Sequence, residues 1–351
     1  MDLLSIFEKY SMDSFLLANT GADEQLQIIE NSELIEGLYK GQELALERVF
    51  HPHLWSDFIF KIVGKMQKLR KYVAITSEFL TKVMNARKVV KKNVQEYAGL
   101  KSKPIMDLML DIHEFKDSYI INEMRTFFYA AVETSGSSLA FTCILLGMNQ
   151  DVQTRCYEEV IDVVGINKQI EFSDLPKLKY LDMILSESLR ILPIVPYIGR
   201  HSSAPLDLSK YQETILDGVT IPEDIDILIP IFRLHRNPKY YPDPLKFNPE
   251  RFSPEQIAKR PQYAYIPFSG GPRNCIGWKY ATMMMKTTLA NIVRNFEIQS
   301  SYKNVEDIRL EAQILIRAVD TMDYLVSSDI YLLTVGSDFL MGHNVFNNAA
   351  I

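Results

Sequence analysis

The segment from Tyr119 to Met148 constrains this chain more than any other. Wound at 3.6 residues per turn, it is apolar nearly all the way round. A helix without a polar face has to be enclosed on every side. The chain has 351 residues, 47% of them hydrophobic, which is ample material for such an enclosure in one large domain or two. The expected fold is therefore mainly α, with this helix buried through the middle.

The flanking patterns agree with that class. From Leu3 to about Gly99, charged and apolar residues alternate at three- and four-residue steps, the helical spacing. Glu43 to Phe50 is one clear amphipathic piece, ended by His51-Pro52 because proline disfavours helix in the residue before it. Arg87 with the Lys88 to Lys92 cluster reads as the solvated face of a long helix. Gly99 to Pro104 is a connector, and Pro104 can open a short helix. Beyond the central helix, Asn149-Gln150-Asp151 caps a second one ending near Val164, and a third ends at Leu192-Pro193. Two β-like runs, Asp217 to Pro222 and Ile225 to Pro230, precede a proline-rich meander from Asn237 to Pro267.

The net charge of −6 supplies no basic excess to neutralise phosphates, so nucleic acid is not expected as a partner. Cys143, Cys156 and Cys275 are too few and too scattered for a disulfide framework or a zinc site. His51 and His53 flank Pro52 without a Cys or carboxylate at ligand spacing, so no metal site is expected there. The first residues run directly into an amphipathic pattern, without the length and apolarity of a membrane anchor or signal peptide.

The chemistry concentrates in Phe268-Ser269-Gly270-Gly271-Pro272-Arg273-Asn274-Cys275-Ile276-Gly277. It reads as a buried cysteine on a loop loosened by Gly270 and Gly271, stiffened by Pro272 and opened by Gly277 for a close approach. A helix pattern starts at Trp278, so Cys275 sits near a helix N-terminus, where orphan N–H groups and the dipole favour an anionic sulfur. A lone cysteine is also compatible with simple packing. The full pattern Phe-x-x-Gly-x-Arg-x-Cys-x-Gly resembles the haem-binding loop of the cytochrome P-450 superfamily. The resemblance implies Cys275 as the proximal ligand of the iron, Arg273 on a haem propionate and Phe268 beside the thiolate.

Other segments fit the same resemblance. Ala130-Ala131-Val132-Glu133-Thr134-Ser135 is similar to the family's oxygen-activation motif. It implies a close pass over a flat macrocycle, with Thr134 and Glu133 side by side as a proton relay. Without the cysteine loop, the same residues read as a helix whose Ser/Thr hydroxyls bond its own backbone. Glu187 and Arg190, with Arg251 of Pro249-Glu250-Arg251-Phe252, resemble the family's buried ion triad, a structural device. Arg200 stands where the family reaches a propionate, and Val195 and Tyr197 just before it are candidates for substrate contact. The Leu234 to Pro238 and Tyr241 to Pro249 runs look like the clan of fatty-acid ω-hydroxylases and insect enzymes. Ala130 stands where several of those hydroxylases carry a haem-esterifying glutamate, so no covalent haem link is expected.

The resemblance implies a cytochrome P-450 fold lacking its N-terminal anchor, early helices and much of the first β-sheet. The catalytic domain would span residues 1–320, followed by a divergent tail, 321–351, in which Asp329 and Asp338 argue against a membrane span. It further implies haem b (iron protoporphyrin IX), electrons from NADPH through a flavoprotein reductase, and insertion of one oxygen atom of O2 into a small apolar substrate. Attachment to the endoplasmic reticulum membrane is a family expectation, weakened by the missing anchor. A second class stays open, a truncated relic or isoform with impaired haem binding and no catalysis.

Overall fold

The computed structural model describes residues 3–28, 33–93, 103–208, 219–312, 314–318 and 324–326. Among the described residues, five α-helices precede the central one: α1 (Leu3–Thr20), α2 (Glu33–Phe50), α3 (Asp57–Ile62), α4 (Lys65–Asn93) and α5 (Ile105–Leu110). The central helix α6 spans Asp117–Met148, and α7 (Gln150–Val163) and α8 (Lys179–Ile191) follow. Strands β1 (Ile198–Ser202), β2 (Leu206–Asp207), β3 (Thr220–Ile221) and β4 (Ile225–Ile229) lead to the short helices α9 (Ile231–Leu234) and α10 (Pro254–Ile257). Then come α11 (Trp278–Asn295) and strands β5 (Ile298–Ser300), β6 (Leu310–Ala312), β7 (Ile316–Ala318) and β8 (Tyr324–Val326). All strand pairs are antiparallel: β1 with β4, β2 with β3, β5 with β8 and β6 with β7. The fold is mainly α, as expected.

Enclosure of α6 organises everything else. Every residue from Ser135 to Gly147 is buried. By length and apolarity α6 would suffice to cross a membrane, yet most of its apolar window is buried inside the fold, so it is a core helix. Two apolar clusters meet along it. One joins its C-terminal half to α7, α8 and α11; the other joins its N-terminal half to α1, α2, α4 and α5. Small residues set how closely neighbours approach. A Cβ on Gly136 would lie 3.0 Å from the backbone of Glu8 in α1, and one on Gly147 would lie 2.8 Å from the backbone N of Ser300 in β5.

Strand β5 is held there by two glutamines of α7. Gln153 exchanges bonds with the Ile298 backbone, its Nε2 donating to the carbonyl at 2.8 Å and its Oε1 accepting from the N–H at 2.7 Å. Gln150 Nε2 donates to the same carbonyl at 2.9 Å. The Gly147→Ala chain therefore loses stability. Alanine's helix preference offers about 1 kcal/mol, but the clash falls on backbone and overpacking costs about 1–3 kcal/mol. Urea unfolding should show the loss, with Gly199→Ala, whose Cβ meets nothing within 4 Å, as the control.

Some expectations are corrected here. Arg87 is not on a solvated face; it is buried, and its guanidinium holds the buried Asp107 at 3.0 Å. Lys88 reaches Asp117 at 2.6 Å, while of Lys91 and Lys92 only the helical backbone is described. Asn149 is the N-cap residue of α7, but its side chain donates back to the Leu145 carbonyl at 2.8 Å and leaves the cap bond unmade. The first β-like run survives as Thr220–Ile221, with Asp217 and Gly218 outside the described residues, as are Gly99 to Ser102 and the tail from 327 onward.

Candidate functional site

The cysteine loop lies between the end of the meander and α11. Its closure is a backbone bond, the Cys275 N–H donating to the Phe268 carbonyl at 2.9 Å, with the Asn274 N–H on the Gly271 carbonyl at 3.1 Å inside it. The left-handed positions are Ser269 (φ +63°) and Gly271 (φ +77°). Gly270, at φ −157°, is extended and needs no glycine for its torsions. Its small size matters instead, because a Cβ there would meet the Tyr263 ring at 3.3 Å. Phe268 is half-buried against the cluster formed by α6, α8 and α11.

Cys275 itself is exposed, contrary to the expectation of a buried thiol. Its neighbour Ile276 is 80% exposed, so the loop crest is turned away from the core. Gly277 is the N-cap residue of α11. A Cβ on it would have one neighbour within reach, the Cys275 sulfur at 4.0 Å. The glycine thus adds no side-chain bulk on that side of the exposed sulfur.

Arg200, in β1, braces the loop. Its Nη2 donates to Ser269 Oγ at 2.6 Å and to the Gly270 carbonyl at 3.2 Å, and its Nη1 donates to the Gly199 carbonyl at 2.8 Å. Arg273 is exposed and makes no hydrogen bond or ion pair with the described residues, so its guanidinium is available to an anion. The structure therefore brings Phe268, Arg200, Arg273, Gly277 and Cys275 onto one loop and the strand beside it.

On α6 the open stripe is Thr126, Ala130 and Thr134. Ala130 is exposed, Ala131 and Thr134 are half-buried, and the stripe closes at Ser135. Thr134 Oγ1 donates to the Ala130 carbonyl at 2.7 Å. Glu133 does not join it. Successive side chains leave a helix about 100° apart, and the Glu133 carboxylate is buried on the other side. There one oxygen accepts from Arg317 Nε of β7 at 2.6 Å and the other from Gln42 Nε2 of α2 at 2.9 Å. The expected adjacency of hydroxyl and carboxylate is absent, because Arg317 and Gln42 offer an enclosed carboxylate the donors that Thr134 does not.

The ion triad forms as expected and is deeper than its spacing suggests. Glu187 and Arg190 are both fully buried; Arg190 Nε and Nη2 donate to the two carboxylate oxygens at 2.6 and 2.8 Å. Arg251 Nε lies 3.3 Å from the same carboxylate, and the Asn248 N–H donates to it at 2.9 Å. The other arm of Arg190 donates to the carbonyls of His235 and Pro244 at 2.9 and 2.8 Å.

From that arm a chain of support reaches the cysteine loop. His235 Nε2 accepts the Ile266 N–H at 2.9 Å, two residues before Phe268. Tyr265 Oη and Tyr241 Oη donate to the Ser186 and Ala264 carbonyls at 2.9 and 3.0 Å. Sequence reasoning missed these three supports. Their only local signal was the regular punctuation of the meander by aromatic residues and prolines.

Burial, reinforced by the Arg190 and Arg260 charges, pushes the His235 imidazole down to about 3. The folded chain binds this proton more weakly than the unfolded chain, where the value is 6.5. The stability from neutral His235 is complete above pH 6.5 and is lost as pH falls toward 3, at about 1.4 kcal/mol per pH unit. A His235→Gln chain, whose amide oxygen can still accept the Ile266 N–H, should show a shallower fall of urea midpoint over that window. Parallel curves for the two chains would contradict this origin of the acid sensitivity.

The comparisons with known proteins follow this geometry. The cytochrome P450 family model matches residues 14–322. The chain is 30% identical over 309 residues to the probable cytochrome P450 4ac1 of Drosophila melanogaster, covering 86% of this chain and 59% of that protein. It is 33% identical over 303 residues to the human cytochrome P450 4V2, covering 82% of this chain and 56% of that one. The chain thus spans less than two thirds of the length of these relatives. A cytochrome P450 crystal structure, that of CYP102L1, superposes with a TM-score of 0.77 at 21% identity, covering 92% of this chain and 70% of that one, a likeness of fold. With a family model matched over most of its length, and relatives of the P450 4 group on the same stretch, this chain belongs to the cytochrome P450 family.

Proposed function

We propose that this chain is the haem-holding part of a haem-thiolate monooxygenase that hydroxylates a small apolar substrate, of the fatty-acid, hormone or xenobiotic class. The observation that carries the proposal is the exposed Cys275 sulfur on a loop closed by backbone and braced by Arg200. The donor set fits an iron porphyrin: one soft sulfur ligand near a helix N-terminus, and the guanidinium groups of Arg200 and Arg273 for two carboxylates. Haem b, when bound, supplies the one-electron and O2 chemistry, with electrons from NADPH through a flavoprotein reductase.

The protein's own part is positioning and proton handling. Cys275 would hold the iron as thiolate, near the start of α11, where orphan N–H groups favour a negative charge. Gly277 keeps side-chain bulk away from the sulfur. Ala130 and Ala131 let α6 pass close to a flat surface, and Ala130 carries no carboxyl with which to form an ester. Thr134 Oγ1 is the atom that passes a proton, after releasing the Ala130 carbonyl. Glu133, clamped by Arg317 and Gln42, fixes the α6 register and becomes a proton donor only if that clamp opens. Half-buried Val195 and Tyr197 would contact substrate. By family, the working location is the cytosolic face of the endoplasmic reticulum membrane.

The test is haem uptake by the purified chain, followed by reduction and exposure to CO. A Soret band at the red-shifted position of thiolate ligation supports the proposal. No uptake would sink it and favour a relic without haem, and the band without product in the presence of reductase and NADPH would restrict the chain to haem binding.

A further inference from the structure

We infer that Ser269 is a positioning residue of the cysteine loop, tying its left-handed turn to the Arg200 guanidinium. The role rests on the haem-thiolate reading only for its consequence once haem is bound. Ser269 stands where the chain reverses. Its N–H donates to the Ile266 carbonyl at 3.0 Å, and the Ile266 N–H is itself fixed on His235 Nε2 at 2.9 Å. The residue before it, Phe268, offers the carbonyl that accepts the Cys275 N–H and closes the loop. The torsion at Ser269 therefore sets how the chain leaves Phe268 and returns to Cys275.

That torsion is φ +63°, a left-handed value that a residue with a Cβ resists and that serine does not favour. Glycine would adopt it without strain, as Gly271 does at φ +77° two residues on. A serine in that place persists only where its surroundings hold it. The hydroxyl supplies the hold. Ser269 Oγ accepts from Arg200 Nη2 at 2.6 Å, and the next carbonyl, that of Gly270, accepts from the same nitrogen at 3.2 Å. A glycine at 269 would keep the second bond and forfeit the first.

Arg200 is a firm base for such a tie. It lies in the middle of β1, opposite Ile227 of β4, and its Nη1 is fixed on the Gly199 carbonyl at 2.8 Å. A guanidinium presents its five N–H donors in one rigid plane. Arg200 spends Nη1 and Nη2 donors on protein oxygens, while its Nε makes no bond with the described residues. The fork thus keeps a donor for a carboxylate beside the tie. One planar group joins the anion-binding donor to the turn that carries Cys275. Ser269 acts through that group, fixing the thiol's loop relative to the arginine.

Three substitutions separate the tie from the torsion. Ser269→Ala keeps the Cβ strain and loses the acceptor, and Ser269→Gly removes both. Ser269→Asn tolerates the left-handed backbone and returns an oxygen acceptor. In the full chain without haem, hydrogen exchange of the peptide covering residues 268–277 reads loop closure. Ser269→Ala should exchange about tenfold faster than the parent, the worth of one hydrogen bond to a charged group. Asparagine should restore the parent rate, and glycine should not. After Arg200→Met, Ser269→Ala should add less than about twofold, because the tie is already gone. With haem bound, reduced and exposed to CO, the share of the Soret band at the thiolate position should fall in the same order. Equal urea midpoints verify the fold. Exchange unchanged in Ser269→Ala would overturn the inference, as would additive losses with Arg200→Met. So would glycine matching the parent while asparagine follows alanine, since torsion would then be the whole effect. The expected exchange order without any haem uptake would support the positioning role and end the haem-thiolate reading.

Discussion

Serine at position 275 is expected to remove the thiolate signature outright while leaving the chain folded. Cys275 is exposed and its side chain supports no packing, so the substitution falls within about 0.5 kcal/mol of the parent in stability. The red-shifted Soret band of the reduced CO complex should disappear completely. The other two cysteines offer no substitute ligand. Cys143 and Cys156 are buried in the core, and burial pushes both thiols up to about 12, away from the thiolate form. A serine chain that kept the band would move the ligand elsewhere and end the reading of this loop.

The second large effect is on stability. Arg190→Leu leaves the Glu187 carboxylate buried without its bidentate partner and is expected to cost about 3–5 kcal/mol. Burial pushes the Glu187 carboxyl up, against the donors of Arg190, Asn248 and Arg251 that hold it ionised. Lysine at 190 should recover little, because one ammonium cannot reach the carboxylate and the His235 and Pro244 carbonyls together. Arg155 and Glu250 form a pair that looks alike on paper, yet both are half exposed and their loss is expected to cost under about 1 kcal/mol. Urea midpoints of Arg190→Leu and Arg155→Ala separate the two cases. Equal losses would show that burial is not what gives the triad its weight.

These contrasts show how far residue patterns carry. The periodicity of Tyr119 to Met148 located α6 to within two residues, because an all-apolar helix announces itself locally. The same pattern could not say which donors Glu133 would meet. Arg317 lies 184 positions along the chain, and nothing near Glu133 points to it. The triad was legible as three residue types, whereas its fixing bonds to the carbonyls of His235 and Pro244 are backbone contacts that leave no mark in side-chain sequence. His235 lies in a run legible only as a family resemblance, and nothing in it announced a buried acceptor. An isolated histidine in a charged run looks solvated until the meander folds over it. In the cysteine loop, Gly271 was read correctly for its torsion, while Gly270 owes its size to Tyr263, a neighbour seven residues earlier.

The amino-acid order by itself determined the elements and the chemical inventory: a buried central helix, a thiol two residues before the N-cap of α11, and the charged residues about it. Those are local matters, fixed by periodicity, torsional preference and the intrinsic chemistry of each side chain. Tertiary structure decided which inventory items meet. It drew Glu133 away from Thr134, turned Arg200 onto the loop and exposed Cys275. The reason is that a buried polar group must be satisfied by whichever donor the packing delivers, and that delivery depends on contacts between segments far apart in the chain.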